Sequence, residues 1–130
     1  MPRDEMKRLV DRLHSLWSTG DLSMIPSIYT PDFVAHMSAT SGLGTLRGHD
    51  AVRDAIAGVR EAVSGFTETV ADMMIDGDKV VTRYFVTGTH TKPFRGVAPT
   101  NQPIRVHEIS IYRIQDGLIA EQWCGKVVND

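Results

Sequence analysis

Cysteine is almost missing from this chain: Cys124 is the only one in 130 residues. A lone thiol excludes an internal disulfide and any zinc site built from several cysteines. It suits a reducing compartment. Long apolar runs are missing too, so no segment reads as a membrane-crossing helix. The opening "MPRDEMKRLV" lacks the apolar core of a signal peptide. An excess of one charge is also absent. The 14 Lys and Arg are scattered among 16 Asp and Glu, for a net charge of −2. No polybasic face is left to hold nucleic acid or a membrane surface. "GHD" at Gly48 to Asp50 is not a glycine-rich phosphate loop. With no repeat or linker, residues 1–130 read as one cytoplasmic domain. A chain of this length can bury roughly two-thirds of its unfolded surface.

Helix signals come first and strand signals last. Met6, Leu9, Val10, Leu13, Leu16 and Trp17 recur at helical spacing, between Pro2 and a stop at Gly20. Leu22, Ile25, Ile28 and Tyr29 suggest a second helix, kept short by Pro26. "PDFVAHM" reads as a short strand and "SATSGLGTLRGHD" as a loop. Asp50 is placed to cap a third helix with Val52, Ile56, Val59 and Val63 on one face, ending near Gly65. From Phe66 onward, "FTETVADMMI", "KVVTRYFVTGTHT", "IRVHEISIYRI" and "LIAEQWCGKVV" are β-rich. The order predicts α+β, with helices on one face of an antiparallel meander.

The last hairpin decides which side chains meet. A three-residue loop of Gln115, Asp116 and Gly117 would pair Ile114 with Leu118. A two-residue Asp-Gly turn would pair Gln115 with Leu118. The first is preferred, and it predicts Tyr112 opposite Ala120, Ser110 opposite Gln122 and Glu108 opposite Cys124 on one face. Ile109 with Trp123 and Ile111 with Glu121 share the other face. Both faces carry apolar groups, so one is expected to meet the helices and the other a partner subunit.

The segments "TGDLSMIPSIYTPDFVAH", "LRGHDAVRDAI", "GTHT", "FRGVAPTN" and "IYRIQDGLIAEQW" resemble the SnoaL-like polyketide cyclases of the NTF2-like (cystatin-like) superfamily. The resemblance spans nearly the whole chain. It implies a cone, a strongly curved antiparallel sheet wrapped around N-terminal helices, with an internal pocket. It also implies homodimers and an intramolecular aldol ring closure without metal or organic cofactor. Those cyclases use a His on the penultimate strand and an Asp on the last. These fall on Ser110 and Cys124 here, and "EQWC" stands where relatives carry Glu-His-Trp-Asp.

Each candidate group has a structural alternative. Cys124 would need a nearby cation to become a nucleophile, but its predicted neighbour is the anion Glu108. It reads as a small pocket-lining residue. Glu108 is the candidate catalytic acid/base, since burial raises a carboxyl toward neutral pH. Its alternative is an ion pair with Arg83 or Arg105. His36 at the end of the first strand and His90 of "GTHT" are candidate substrate-binding residues. His107 points away from Glu108 in a regular strand. The three histidines lack metal-ligand spacing. Tyr84 and Tyr112 offer hydroxyls to a carbonyl or phenol oxygen. Ser110 and Gln122 offer a neutral hydrogen-bonding pair. The expected ligand is a small apolar or aromatic oxygenated molecule. The expected homodimer meets through Ile109, Ile111 and Trp123. Two functions stay open: cofactor-free proton transfer at a carbonyl, or a non-catalytic ligand-binding or dimerisation module.

Overall fold

Apolar residues at helical spacing need a surface to cover them, and in the computed structural model that surface is a curled sheet. Residues 1–128 are described; the last two residues of the expected domain lie outside them. Helix α1 (Arg3–Thr19) buries Met6, Leu9, Val10, Leu13, Leu16 and Trp17. It stops at Gly20, whose φ of 74° lets its N–H reach the Leu16 carbonyl at 2.8 Å. A 3-10 helix (Leu22–Ser27) follows, with Pro26 inside it and the Asp21 carboxylate accepting from the Ser23 N–H. Helix α2 (Gly48–Ala62) lays Val52, Ala55 and Ile56 onto the same core. Asp50 does not cap this helix. It sits in the first turn and pairs with Arg53, while Arg47 stands at the cap without a side-chain bond.

The strands are β1 (Tyr29–His36), β2 (Thr45–Arg47), β3 (Val63–Asp76), β4 (Lys79–His90), β5 (Pro103–Gln115) and β6 (Leu118–Lys126). They form one sheet in the order β2-β1-β6-β5-β4-β3. The expected meander is present as β3 to β6. Added to it is a parallel pairing of β1 with β6, and β2 emerges from the stretch expected to be a loop. The third helix ends at Ala62, and β3 begins at once rather than after Gly65.

Extra residues in β3, between Ser64 and Thr67 and again between Val70 and Asp72, bend the sheet over the helices. Gly88 on β4 makes the first bend possible. A Cβ there would lie 2.5 Å from Val63 Cγ1 and 2.9 Å from the Ser64 carbonyl oxygen. The sheet curls without closing, which gives the α+β cone.

The last hairpin differs from its expected pairing. Asp116 and Gly117 both have positive φ, 52° and 78°, and make a two-residue turn pairing Gln115 with Leu118. One extra residue, Ala120, then bulges out of β6, because Ile114 pairs with Ile119 but Arg113 with Glu121. Beyond the bulge Tyr112 opposes Gln122, Ser110 opposes Cys124 and Glu108 opposes Lys126. Beyond the bulge, turn and bulge together shift each partner by two residues, which preserves facing from Arg113 back to Glu108. Before it the shift is one residue, so Ile119 rather than the expected Leu118 joins Ile114 on the inner face, and Ile119 is fully buried.

Candidate functional site

The inner face of the cone does not fill completely. A cavity of about 320 Å³ remains between the sheet, both helices and two loops. Its walls are mostly apolar, with Trp17, Phe66, Val59, Val86, Val106 and Phe94 among them. The volume lies at the small end of ligand sites. Ser38, Glu68, His90 and Glu108 bring polar groups to the wall, and Arg95 and Lys126 bring cations.

Strand parity aims Glu108 inward, between Tyr84 on β4 and Lys126 on β6. Neither expected arginine partner is available. Arg83 holds Asp72 at 2.6 Å, and Arg105 lies 3.9 Å from the Phe85 ring centre. Among the described residues Glu108 has no ion pair. Burial pushes its carboxyl above the ordinary range, and the charge of Glu68 adds to this. The Tyr84 hydroxyl, the Cys124 thiol and His14 partly offset the rise.

Ser110, Tyr84, Gln122 and Cys124 form one polar group behind the cavity wall. The Tyr84 hydroxyl is 2.9 Å from Ser110 Oγ and 3.5 Å from Cys124 Sγ, and Gln122 Nε2 donates to Ser110 Oγ at 3.2 Å. Burial, then Glu108, push the Cys124 thiol up to about 11. A thiol held protonated is not a nucleophile. Tyr112 is fully buried and meets Thr82 and His14.

The histidines separate. His90 lines the cavity, and its Nε2 is buried with no partner among the described residues. Ser38 Oγ is in the same condition on the same cavity. His36 does not reach the cavity. It lies on the outer face, stacked on Trp123 and bonded to Glu121 at 2.9 Å, because its alignment with Trp123 in the parallel ladder fixes its side. His107 also faces outward, stacked on Phe85. No cluster of three or more His, Cys, Asp or Glu among the described residues could hold a metal ion.

Sequence reasoning missed His14 and Glu68. His14 Nδ1 lies 2.7 Å from Glu68 Oε1, with the two side chains 4% and 8% exposed. His14 Nε2 lies 3.0 Å from Thr82 Oγ1 and 3.2 Å from the Tyr112 hydroxyl. One signal was available: position 14 falls between Val10 and Trp17 on the apolar face of α1, where a histidine needs partners. Nothing nearby in sequence identified that partner, because Glu68 is 54 residues away.

Comparison with known proteins agrees with this architecture. No protein of curated function matches the chain. Among solved structures, TsrD from Streptomyces laurentii is 25% identical, with a TM-score of 0.84, covering 97% of this chain and 90% of that one. IdmH from Streptomyces antibioticus, a candidate polyketide cyclase, is 28% identical, with a TM-score of 0.78 and coverage of 92% and 90%. AclR from Streptomyces galilaeus, a candidate hydroxylase, is 28% identical, with a TM-score of 0.80 and coverage of 97% and 77%. Residues 7–125 match the SnoaL-like polyketide cyclase family from end to end of the cone. This match, over nearly the whole curled sheet and its helices, makes the chain a member of the SnoaL-like polyketide cyclase family.

Proposed function

We propose that the protein catalyses cofactor-free proton transfer on a small apolar or aromatic carbonyl compound, with Glu108 as the acid/base group. The observation that carries this reading is an unpaired carboxyl at the wall of an apolar cavity, raised by burial toward the range where it can both give and take a proton. The unpartnered Ser38 hydroxyl and His90 Nε2 suit a ligand that brings its own oxygens. Tyr84 and Tyr112 keep their phenolic protons, since burial raises both well above the ordinary tyrosine value. Of the two, Tyr84 stands beside Glu108 and bonds its carboxyl from behind the cavity wall, while the Ser38 hydroxyl on the wall itself is free to meet a developing oxyanion. The lone thiol suits a reducing cytoplasm, and a homodimer through Ile109, Ile111 and Trp123 belongs to the same reading.

Glu108→Gln tests it. Turnover of aryl ketones and diketones, followed by NMR, is expected to fall about 100-fold or more while the circular dichroism spectrum stays native. Unchanged turnover removes Glu108 from the mechanism.

One observation favours the non-catalytic reading. Ser110 and Cys124, at the positions of the family's acid and base, are tied to Tyr84 in a neutral network. Tight binding of a flat polycyclic phenol, with no turnover at any pH, would select it.

A further inference from the structure

Glu68 plays no part in the mechanism above, yet it is the other carboxyl group lining the cavity. It stands on β3 opposite Val86 of β4, while Glu108 stands on β5 opposite Tyr84 of the same strand. The two are therefore separated by β4, a gap of two strand spacings or about 10 Å. The curl of the sheet turns both toward the space between them.

What backs Glu68 is unusual for a structural carboxyl. His14 Nδ1 is 2.7 Å from it, and Nε2 of the same ring meets the hydroxyls of Thr82 and Tyr112. A carboxylate has no proton to give, so the ring N–H at Nδ1 donates to Glu68, and in the neutral ring Nε2 then accepts from a hydroxyl. That arrangement fixes the tautomer and aims the carboxylate, as a buried partner does in other His–carboxylate pairs. The bland alternative is a tie between α1 and the sheet. An apolar pair would make that tie at no greater cost, and it would not need to stand at the cavity wall. The charge on Glu68 is also felt by Glu108 on the same cavity and by the buried Tyr84 and Tyr112 behind it, all of which it raises.

We propose that Glu68 is the catalytic base that works with Glu108, and that His14 is its positioning residue, on a substrate with an acidic C–H beside a carbonyl. The Glu68 carboxylate takes the proton from carbon. The C–H electron pair forms a new C=C bond, the carbonyl π pair moves onto oxygen, and that oxygen takes a proton from Glu108, giving an enol. If the enol carbon attacks a second carbonyl of the same molecule, the new alkoxide takes the proton back from Glu68. The enol O–H proton then returns to Glu108. Both groups finish as they began, and no oxidant or cofactor enters.

This assignment rests on the proposed role of Glu108, so the test separates the two. The probes are 2-tetralone and related bicyclic ketones in D2O, with NMR reading exchange of the α-hydrogens by the full chain. Glu68→Gln, whose amide oxygen can still accept from His14, is expected to lower kcat for exchange about 100-fold or more with KM unchanged. Glu68→Asp, which keeps a carboxylate, is expected to recover part of the loss. Side-chain 15N spectra of the unmodified protein are expected to show His14 carrying its proton on Nδ1. Full exchange by Glu68→Gln with loss in Glu108→Gln overturns the role of Glu68 alone. So does an Nε2-protonated His14, or a melt that falls equally in both Glu68 variants with no kcat difference between them. No exchange above buffer by the unmodified protein on any of these ketones overturns the underlying reaction.

Discussion

Cys124 and Glu108 show how one environment treats two acids. Both lose water, and each lies within the field of another acid. Cys124 is pushed from the ordinary thiol value of 9.0 to about 11. At neutral pH that leaves about 100-fold less thiolate than an ordinary thiol. Alkylation by iodoacetamide should be correspondingly slow, with its rate rising about tenfold per pH unit until near pH 11. Reaction at the rate of free cysteine would contradict the burial. For Glu108 the sign follows from proton counting. Its folded value is raised above 4.5, so the native state binds more protons than the unfolded chain over the window that begins there. Its contribution to stability falls as pH rises through that window. Glu108→Gln should therefore melt higher than the parent at pH 8, and the advantage should disappear near pH 4. The sequence placed Glu108 across from Cys124, and the structure places it diagonal to Cys124, still close enough to raise the thiol. His14 and Glu68 were not legible, since each needs a partner from a distant element.

At the scale of elements, one side chain joins three of them. Arg60 on α2 donates through Nη1 to the carbonyls of Trp17 and Ser18 at the end of α1 and of Phe66 on β3. The last carbonyls of a helix lack partners within it and carry its partial negative charge, so a guanidinium suits them doubly. Arg60→Met keeps the aliphatic stem and strands those oxygens. It should cost about 2–4 kcal/mol in urea unfolding, against less than about 0.5 kcal/mol for an exposed site such as Arg8. The hairpin marks the limit of pattern reading at this scale. Alternation along β5 and β6 identified the inner set from Tyr112 to Glu108 and from Gln122 to Cys124, but exchanged Leu118 and Ile119 next to the turn. The pairs themselves depended on a turn and a bulge at Ala120, and alanine carries no signal for a bulge.

For the molecule as a whole, helical spacing followed by alternating strands was enough to give α+β. The long-range step was not visible. β1 lies parallel to β6, about two-thirds of the chain away in sequence, and a short strand such as β1 does not announce its neighbour. The outer face bears on assembly. Ile109, Ile111 and Trp123 are 39%, 37% and 37% exposed, large for a strand face left to water. Sedimentation equilibrium at micromolar concentration should give twice the 14.4 kDa chain mass, and Trp123→Glu should return it to one. A monomeric parent would remove that face from the account.

The parallel pairing of β1 with β6 also sets an order in time. During synthesis α1, β1 and β2 leave the ribosome long before residues 118–126 exist. Until then β1 has only the three residues of β2 beside it, and its other edge is open. Pairs this distant in sequence form slowly, since the loop between them must be closed first. A nascent chain of this protein therefore carries that open edge of β1 until β6 has been made to cover it.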